Sequence, residues 1–197
     1  MQPQGLDSEL HLLDVLTLRH FEEMEQLEHA CYADEFIAPA AEAYAWYLHA
    51  PDTTIALVDA GGHVAGFINM FPVSSRVYEC LLAGTFNDAE LTTVDVVAPS
   101  RLQPGQDSPL HMFLSCIVVD RAHRGGAVSH RLLSKAVERY AGVEHLVDGI
   151  VTDNVTPEGE RFSRRWGFAH VCASDHGSQI YAQPYEAFAQ RVRAAGR

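Results

Sequence analysis

Residues 116–139, CIVVDRAHRGGAVSHRLLSKAVER, constrain this chain more than any other segment. The β-branched run Ile117, Val118, Val119 stops at Asp120, and a turn carries the chain through Arg124, Gly125 and Gly126. A helical pattern follows, with Val128, Leu132, Leu133, Ala136 and Val137 on one face. Strand, glycine turn and helix in that order aim bare main-chain N–H groups at an anion. The first helical turn has unpaired donors and the positive end of the helix dipole. Glycines leave room for a bulky diphosphate to approach the backbone. The segment reads as a site for a phosphorylated cofactor.

What the segment lacks narrows the cofactor. No Lys-Ser/Thr follows the glycines, so it is not a nucleoside-triphosphate loop. Nor is it G-x-G-x-x-G, and there is no acidic ribose partner at the expected offset. It resembles the acetyl-CoA signature of the GNAT acetyltransferase superfamily, V-x-P-x-x-R-G-x-G-I-G-x-x-L-L. Val119 takes the valine, Arg121 the proline, Arg124-Gly125 match directly, Val128 takes the isoleucine, and Leu132-Leu133 match the leucine pair. Ala127 and Ser129 stand where the family usually has glycine. A second block, Phe162-Ser163-Arg164-Arg165-Trp166-Gly167-Phe168, resembles F-Y-x-x-L-G-F, with Gly167 as a helix C-cap and Phe168 folding back on the core. The resemblance covers the last half of the chain closely and the first half by general pattern. It implies acetyl-CoA as co-substrate, held by Ile117, Val118, Val119, Arg124, Gly125, Gly126, Ala127, Val128, Ser129, Asn154 and Arg164.

Length and composition agree with one domain over residues 1–197. The 47% hydrophobic content supports a substantial core. No stretch approaches the roughly 18–20 apolar residues of a membrane span, and no basic region precedes the first apolar stretch, so neither membrane nor signal peptide is expected. Cys31, Cys80, Cys116 and Cys172 are scattered without C-x-x-C, as in a reduced cytoplasmic protein. The histidines show neither H-x-x-x-H nor H-E-x-x-H, so no metal site is expected.

Charge is unevenly distributed. Residues 1–100 carry sixteen acidic side chains against Arg19 and Arg76, whereas 121–165 hold eight of the fourteen Lys and Arg against six acids. The basic groups thus gather around the two motif blocks, where an anionic cofactor needs them. Arg131, Lys135 and Arg139 also fit the solvated face of a helix. The net charge of −12 argues against nucleic acid and favours a cationic or neutral acceptor, such as an amine.

Periodicity predicts strands and helices alternating around a mixed, mostly antiparallel sheet, an α/β architecture. Expected are a strand over 10–16, a helix over 19–32 capped by Thr17, and a helix Ala40–His49 ending before Pro51. A hairpin joins Thr54–Val58 to 64–71, followed by strand 112–119 and the cofactor helix. Strand 146–152, a helix with Pro157 near its start, strands Ala169–Ala173 and 179–182, and helix Tyr185–Ala195 complete the order. Residues 74–109 are longer than a simple hairpin connection and hold a helical stretch at Val77, Leu81 and Leu82 and an extra strand over 91–97; the resemblance implies that this insertion covers the acceptor site.

Acetyl transfer from a thioester needs placement, an oxyanion donor and proton handling. The resemblance puts the donor N–H on strand 117–119 and the acid for the leaving thiolate on the tyrosine of the second block, where this chain has Ser163. Tyr181 or Cys116 then substitutes, the thiolate leaves unassisted, or activity is low. The base candidates are Asp95, Glu79 and Asp153. Asp95 lies inside the apolar-flanked run Thr93-Val94-Asp95-Val96-Val97, where partial burial raises a carboxyl pKa. Expected partners are acetyl-CoA and a small amine, with a homodimer as the family's common assembly. The functional expectation is an N-acetyltransferase acting on a primary amine of a small molecule or peptide. The alternative is a non-catalytic acyl-CoA-binding protein of the same fold, acting as sensor or interaction module.

Overall fold

The computed structural model describes residues 10–87, 90–98, 109–124 and 127–196. Along the chain run β1 (His11–Leu12), α1 (Leu18–His29), α2 (Ala40–His49), β2 (Thr54–Val58), β3 (Val64–Val73), α3 (Ser75–Ala83) and β4 (Leu110–Val119). Then come α4 (Val128–Arg139), β5 (Val147–Asn154), α5 (Pro157–Arg165), β6 (Ala169–Ala173), β7 (Gln179–Pro184) and α6 (Tyr185–Ala195). Local chemistry sets most of these boundaries. At the start of α1 the Thr17 N–H donates to His20 Nδ1 (3.0 Å). The Ser74 hydroxyl accepts from Val77 N at the start of α3, and Thr156 accepts from Gly159 N ahead of Pro157. Gly167, at φ 86°, closes α5: its N–H reaches Arg164 O, and Phe168 N–H reaches Ser163 O.

The seven strands form one sheet in the order β1-β2-β3-β4-β5-β7-β6. Every neighbouring pair is antiparallel except β4 with β5. All ten residues of β3 are buried, because helices cover both faces of the sheet. α4 and α6 close one face, where Leu132, Leu133, Tyr140, Phe188 and Val192 meet Ile68, Met112 and Ile150. α1 and α2 cover the other face at the β2–β4 end, through Phe21, Met24, Tyr47, Phe67 and Val118. α3 extends that layer, with Val77 and Leu81 against Phe113 and Val151. Among the described residues no helix is long and apolar enough to cross a membrane.

Two expected elements differ. The strand foreseen over 10–16 shrinks to His11–Leu12, with Val15 69% exposed and beyond the pairing with β2. Residues 91–97 form no strand but a turn: Asp95 N–H donates to Thr92 O (3.0 Å), and pairing is limited to one bridge, Val73 with Val96. The reason is local. β2 pairs with β3 only as far as Asn69, and the turn at 92–95 lets this segment meet the open end of β3 just around Val96, with Val97 N–H on Pro72 O and Ser74 N–H on Asp95 O. Val94, left outside, is 84% exposed.

Candidate active site

β4 and β5 begin as a hydrogen-bonded parallel pair and then part. Pairing runs from Leu110 with Val147 to Leu114 with Thr152, and β4 carries a bulge at Ser115, opposite the Asn69–Met70 step of β3. Beyond this point 115–119 and 152–156 form the two walls of a cleft of about 490 Å³, within the usual size of small-molecule and cofactor sites. Glu28, Cys31 and Tyr32 at the end of α1, Phe36, Trp46 of α2 and Asn69 of β3 close one side. Arg124, Ser129 in the first turn of α4, and Gly159 and Phe162 of α5 line it further.

Each wall has distinct chemistry. The outer stretch of β4 presents main chain that β5 no longer pairs, the arrangement in which an extended polar arm can lie along a strand. α4 begins at Ala127, which supplies no capping side chain, so its first turn keeps the donors and dipole suited to an anion. Arg124 bridges the mouth: Nε donates to Val119 O (3.0 Å) and Nη2 to Cys31 Sγ (3.3 Å). Deeper, Cys116 Sγ accepts from Asn69 Nδ2 and donates to Glu28 Oε1, both at 3.4 Å.

The β5 wall holds Asp153 and Asn154. Asp153 Oδ2 meets His176 Nε2 at 2.9 Å, while its Oδ1 is buried without a hydrogen-bond partner. His176 Nδ1 meets Asp175 Oδ1 at 3.1 Å. Burial pulls the imidazole pKa down, but the hydrogen bonds to Asp153 and Asp175 outweigh it and raise the pKa above that of an ordinary histidine. Asn154 Oδ1 accepts from the Ser163 hydroxyl (3.1 Å), and Asn154 Nδ2 reaches Gln179 O (3.5 Å).

The cleft gathers many of the residues named from sequence. Ile117, Val118, Val119, Arg124, Ser129 and Asn154 line it, as do Cys116 and Asp153. Gly125 and Gly126 lie outside the described residues. Val128 instead packs into the core beneath α4. Ala127 is the N-cap of α4 and is exposed. Arg164 pairs with Glu160 and lies 5.6 Å from the Tyr181 ring, away from the cleft lining.

The proton-handling candidates mostly lie elsewhere. Ser163 is fully buried, its hydroxyl committed to Asn154. Tyr181, 1% exposed, donates to Glu160 Oε2 (3.0 Å); burial and that carboxylate both raise its pKa, making it a weaker acid. Cys116 is the thiolate-acid candidate that lines the cleft. Glu79 sits on α3, outside the lining. For Asp95 the expected raised pKa is reversed. Burial pushes it up, but the Thr92 hydroxyl (2.7 Å), Arg76 (2.7 Å) and Thr92 N–H (3.2 Å) outweigh that and hold it below the usual range. Asp95 is a turn anchor outside the cleft lining. The basic cluster is also redistributed: Lys135 and Arg161 pair with Glu138 and Glu158, leaving Arg124 as the Lys or Arg in the described lining. Arg139 is no solvated side chain either, since it reaches Pro51 O, Thr54 O and the Asp52 carboxylate.

Glu28, Tyr32, Phe36, Trp46, Asn69 and His176 had no local signal. They reach the site through α1, α2 and β3 and through the turn between β6 and β7, from segments remote in sequence from the glycine turn.

The model of the acetyltransferase (GNAT) family matches residues 21–168. No curated protein matches the chain in sequence. Solved structures share its fold. The loading GNATL domain of CurA from Lyngbya majuscula aligns with TM-score 0.64 at 11% identity, over 90% of this chain and 98% of that one. A chain of the NatC complex bound to Gag peptide and CoA aligns with TM-score 0.58 at 14% identity, over 89% and 98%. An agmatine N-acetyltransferase gives TM-score 0.57 at 14% identity, over 89% and 99%. At these identities the likeness speaks for the fold, and the family match covers most of the chain. With a parted β4–β5 pair, an anion-ready helix start beside it and this match, the chain belongs to the GNAT acetyltransferase family, whose chemistry is acyl transfer from acyl-CoA.

Proposed function

We propose that the protein is an N-acetyltransferase that moves the acetyl group of acetyl-CoA to a primary amine of a small molecule or peptide. The observation that carries this reading is the cleft opened where β4 and β5 part. One end offers Arg124 and the first turn of α4 to a diphosphate, and the middle offers the β4 main chain to a pantetheine arm. The thioester carbonyl then lies at the parting point, where a β4 N–H is placed to take the developing oxyanion. The opposite side carries Glu28, Tyr32, Phe36 and Trp46, a carboxylate and three aromatic rings suited to a cationic acceptor. The net charge of −12 supports an acceptor of that sign. None of the four cysteines is in a disulfide, which suits a reducing compartment, and the reading places the protein in the cytoplasm.

Calorimetric titration with acetyl-CoA tests the cofactor half of the proposal. Micromolar binding is expected for the wild type, weakened in Arg124→Ala and in Ser129→Glu, which brings a carboxylate to the diphosphate. Release of CoA thiol with a panel of primary amines tests the transfer half. Wild-type protein that does not bind acetyl-CoA overturns the whole reading, and binding without thiol release for any amine reduces it to an acyl-CoA-binding module.

A further inference from the structure

Asp153 lies one residue beyond the last position at which β5 pairs with β4, at the point where the cleft opens. Its side chain is 8% exposed, and of its two carboxylate oxygens one meets His176 while Oδ1 is buried with no donor. A buried carboxylate oxygen without a donor is costly unless a ligand or proton supplies what it lacks. Behind it His176 is 17% exposed and bridges two aspartates. Its Nε2 faces Asp153 at 2.9 Å and its Nδ1 faces Asp175 at 3.1 Å. Asp175 is 67% exposed, so the chain of groups ends in solvent. The remaining described neighbours of the imidazole are uncharged: Ser178 Oγ at 3.1 Å and the Phe36 ring at 6.3 Å.

We infer that Asp153, His176 and Asp175 form a proton relay that takes a proton from the acceptor's ammonium group and delivers it to solvent. The inference rests on the amine-acetyltransferase reading above. Asp153 is the group that touches the acceptor nitrogen, and His176 is the positioning residue behind it. The resting relay holds one proton between Asp153 and His176, as carboxylate and imidazolium, beside the Asp175 carboxylate. An arriving R–NH3+ gives one proton to Asp153 Oδ1 and becomes the neutral nucleophile. Before this transfer His176 has lost its Nδ1 proton to Asp175 or to water there, and its Nε2–H stays bonded to Asp153 Oδ2. One proton enters and one leaves, so charge balances. The amine nitrogen then forms the new C–N bond as the thioester C–S bond breaks, and the proton that the nitrogen sheds on becoming an amide goes to the departing sulfur, so CoA leaves as the thiol. Two carboxylates flanking one imidazole are what this exchange requires, and they resist it while His176 is charged.

The test is the pH dependence of acetyl transfer to butane-1,4-diamine and to an unblocked tetrapeptide, with acetyl-CoA binding measured alongside. In the wild type kcat/KM is expected to rise with pH through the raised His176 pKa. His176→Gln keeps a hydrogen bond to Asp153 but does not titrate. It is expected to lose that limb and to lower kcat by about 10²-fold, with acetyl-CoA affinity unchanged. Asp153→Asn is expected to lower kcat at least as far. Imidazole NMR supplies an arm independent of turnover and of the acceptor: Asp153→Asn is expected to lower the His176 pKa, and Asp175→Asn to do the same. A His176→Gln protein with the wild-type pH limb overturns the relay, as does a His176 titration unmoved by Asp153→Asn. Should His176→Gln not fold, the NMR arm on the aspartate variants decides. Failure of the parent reading is seen separately, as wild-type protein that does not bind acetyl-CoA or binds it without transfer to either amine, and the relay then falls with it.

Discussion

Replacing Ser163 with alanine separates a structural hydroxyl from a catalytic one at a position where the family pattern has an acid. Ser163 is fully buried, and its hydroxyl donates to Asn154 Oδ1 at 3.1 Å. Asn154 is itself 7% exposed and lines the cleft, so it has little access to replacement water. The alanine variant leaves that amide oxygen without its Ser163 donor. Loss of one neutral hydrogen bond with a buried acceptor stranded is worth about 1–2 kcal/mol. For a domain of this size that lowers Tm by about 2–8 °C. Because Asn154 stands on the cleft wall, the KM for acyl-CoA is expected to rise about two- to five-fold, with kcat within about two-fold of wild type. Thermal unfolding followed by circular dichroism gives the first quantity, and initial rates of thiol release give the second. A fall in kcat of ten-fold or more at unchanged Tm would refute the reasoning, since it would place the hydroxyl on the leaving thiolate rather than on Asn154.

Two further outcomes follow from local geometry. Asp95→Asn is expected to lower stability by about 1–2 kcal/mol at neutral pH, through loss of charge-assisted bonds to Thr92 and the exposed Arg76, while turnover stays near wild type. Because the folded Asp95 pKa is depressed, its contribution is fully present above its unfolded value and fades as pH falls through the folded pKa. Urea unfolding of wild type and variant should therefore converge in acid, and a gap that widens there would contradict the assignment. Gly84→Ala should destabilise by about 2–4 kcal/mol, since the residue caps α3 at φ 70° and a Cβ would lie 2.9 Å from Ser174 Cα and 3.0 Å from Ala173 O. A chemical-denaturation midpoint equal to that of wild type would show that the β6–β7 turn yields freely.

Much of the fold was legible because its signals are local. The four-residue spacing of Val128, Leu132 and Ala136, with Leu133 and Val137 beside them, dictates a helix buried on one face, and all five are buried in α4. Thr17 and Gly167 mark helix ends through hydrogen bonds within a few residues, Pro157 marks one through its fixed φ, and those ends appear where expected. Strand 91–97 was misread because alternation states only that a segment is able to pair. Whether it does pair is decided by the turn in which Asp95 N–H bonds Thr92 O, which leaves only Val96 bridged to the end of β3 that β2 does not reach. Asp95 was misjudged because burial, which raises its pKa, is outweighed by hydrogen bonds from the Thr92 hydroxyl and N–H and from Arg76, nineteen residues away.

The chain by itself therefore determined the helices, most of the strands and the family pattern that names acyl-CoA chemistry. These depend on side-chain periodicity and on hydrogen bonds between near neighbours. Tertiary structure alone decided where β4 and β5 part, and hence which residues face the cleft. It brought Glu28 against Cys116 across 88 positions and His176 against Asp153 across 23. It also withdrew Ser163 and Tyr181 into buried hydrogen bonds of their own. Contacts between distant segments are fixed by sheet order and helix packing, to which local patterning contributes only the pieces.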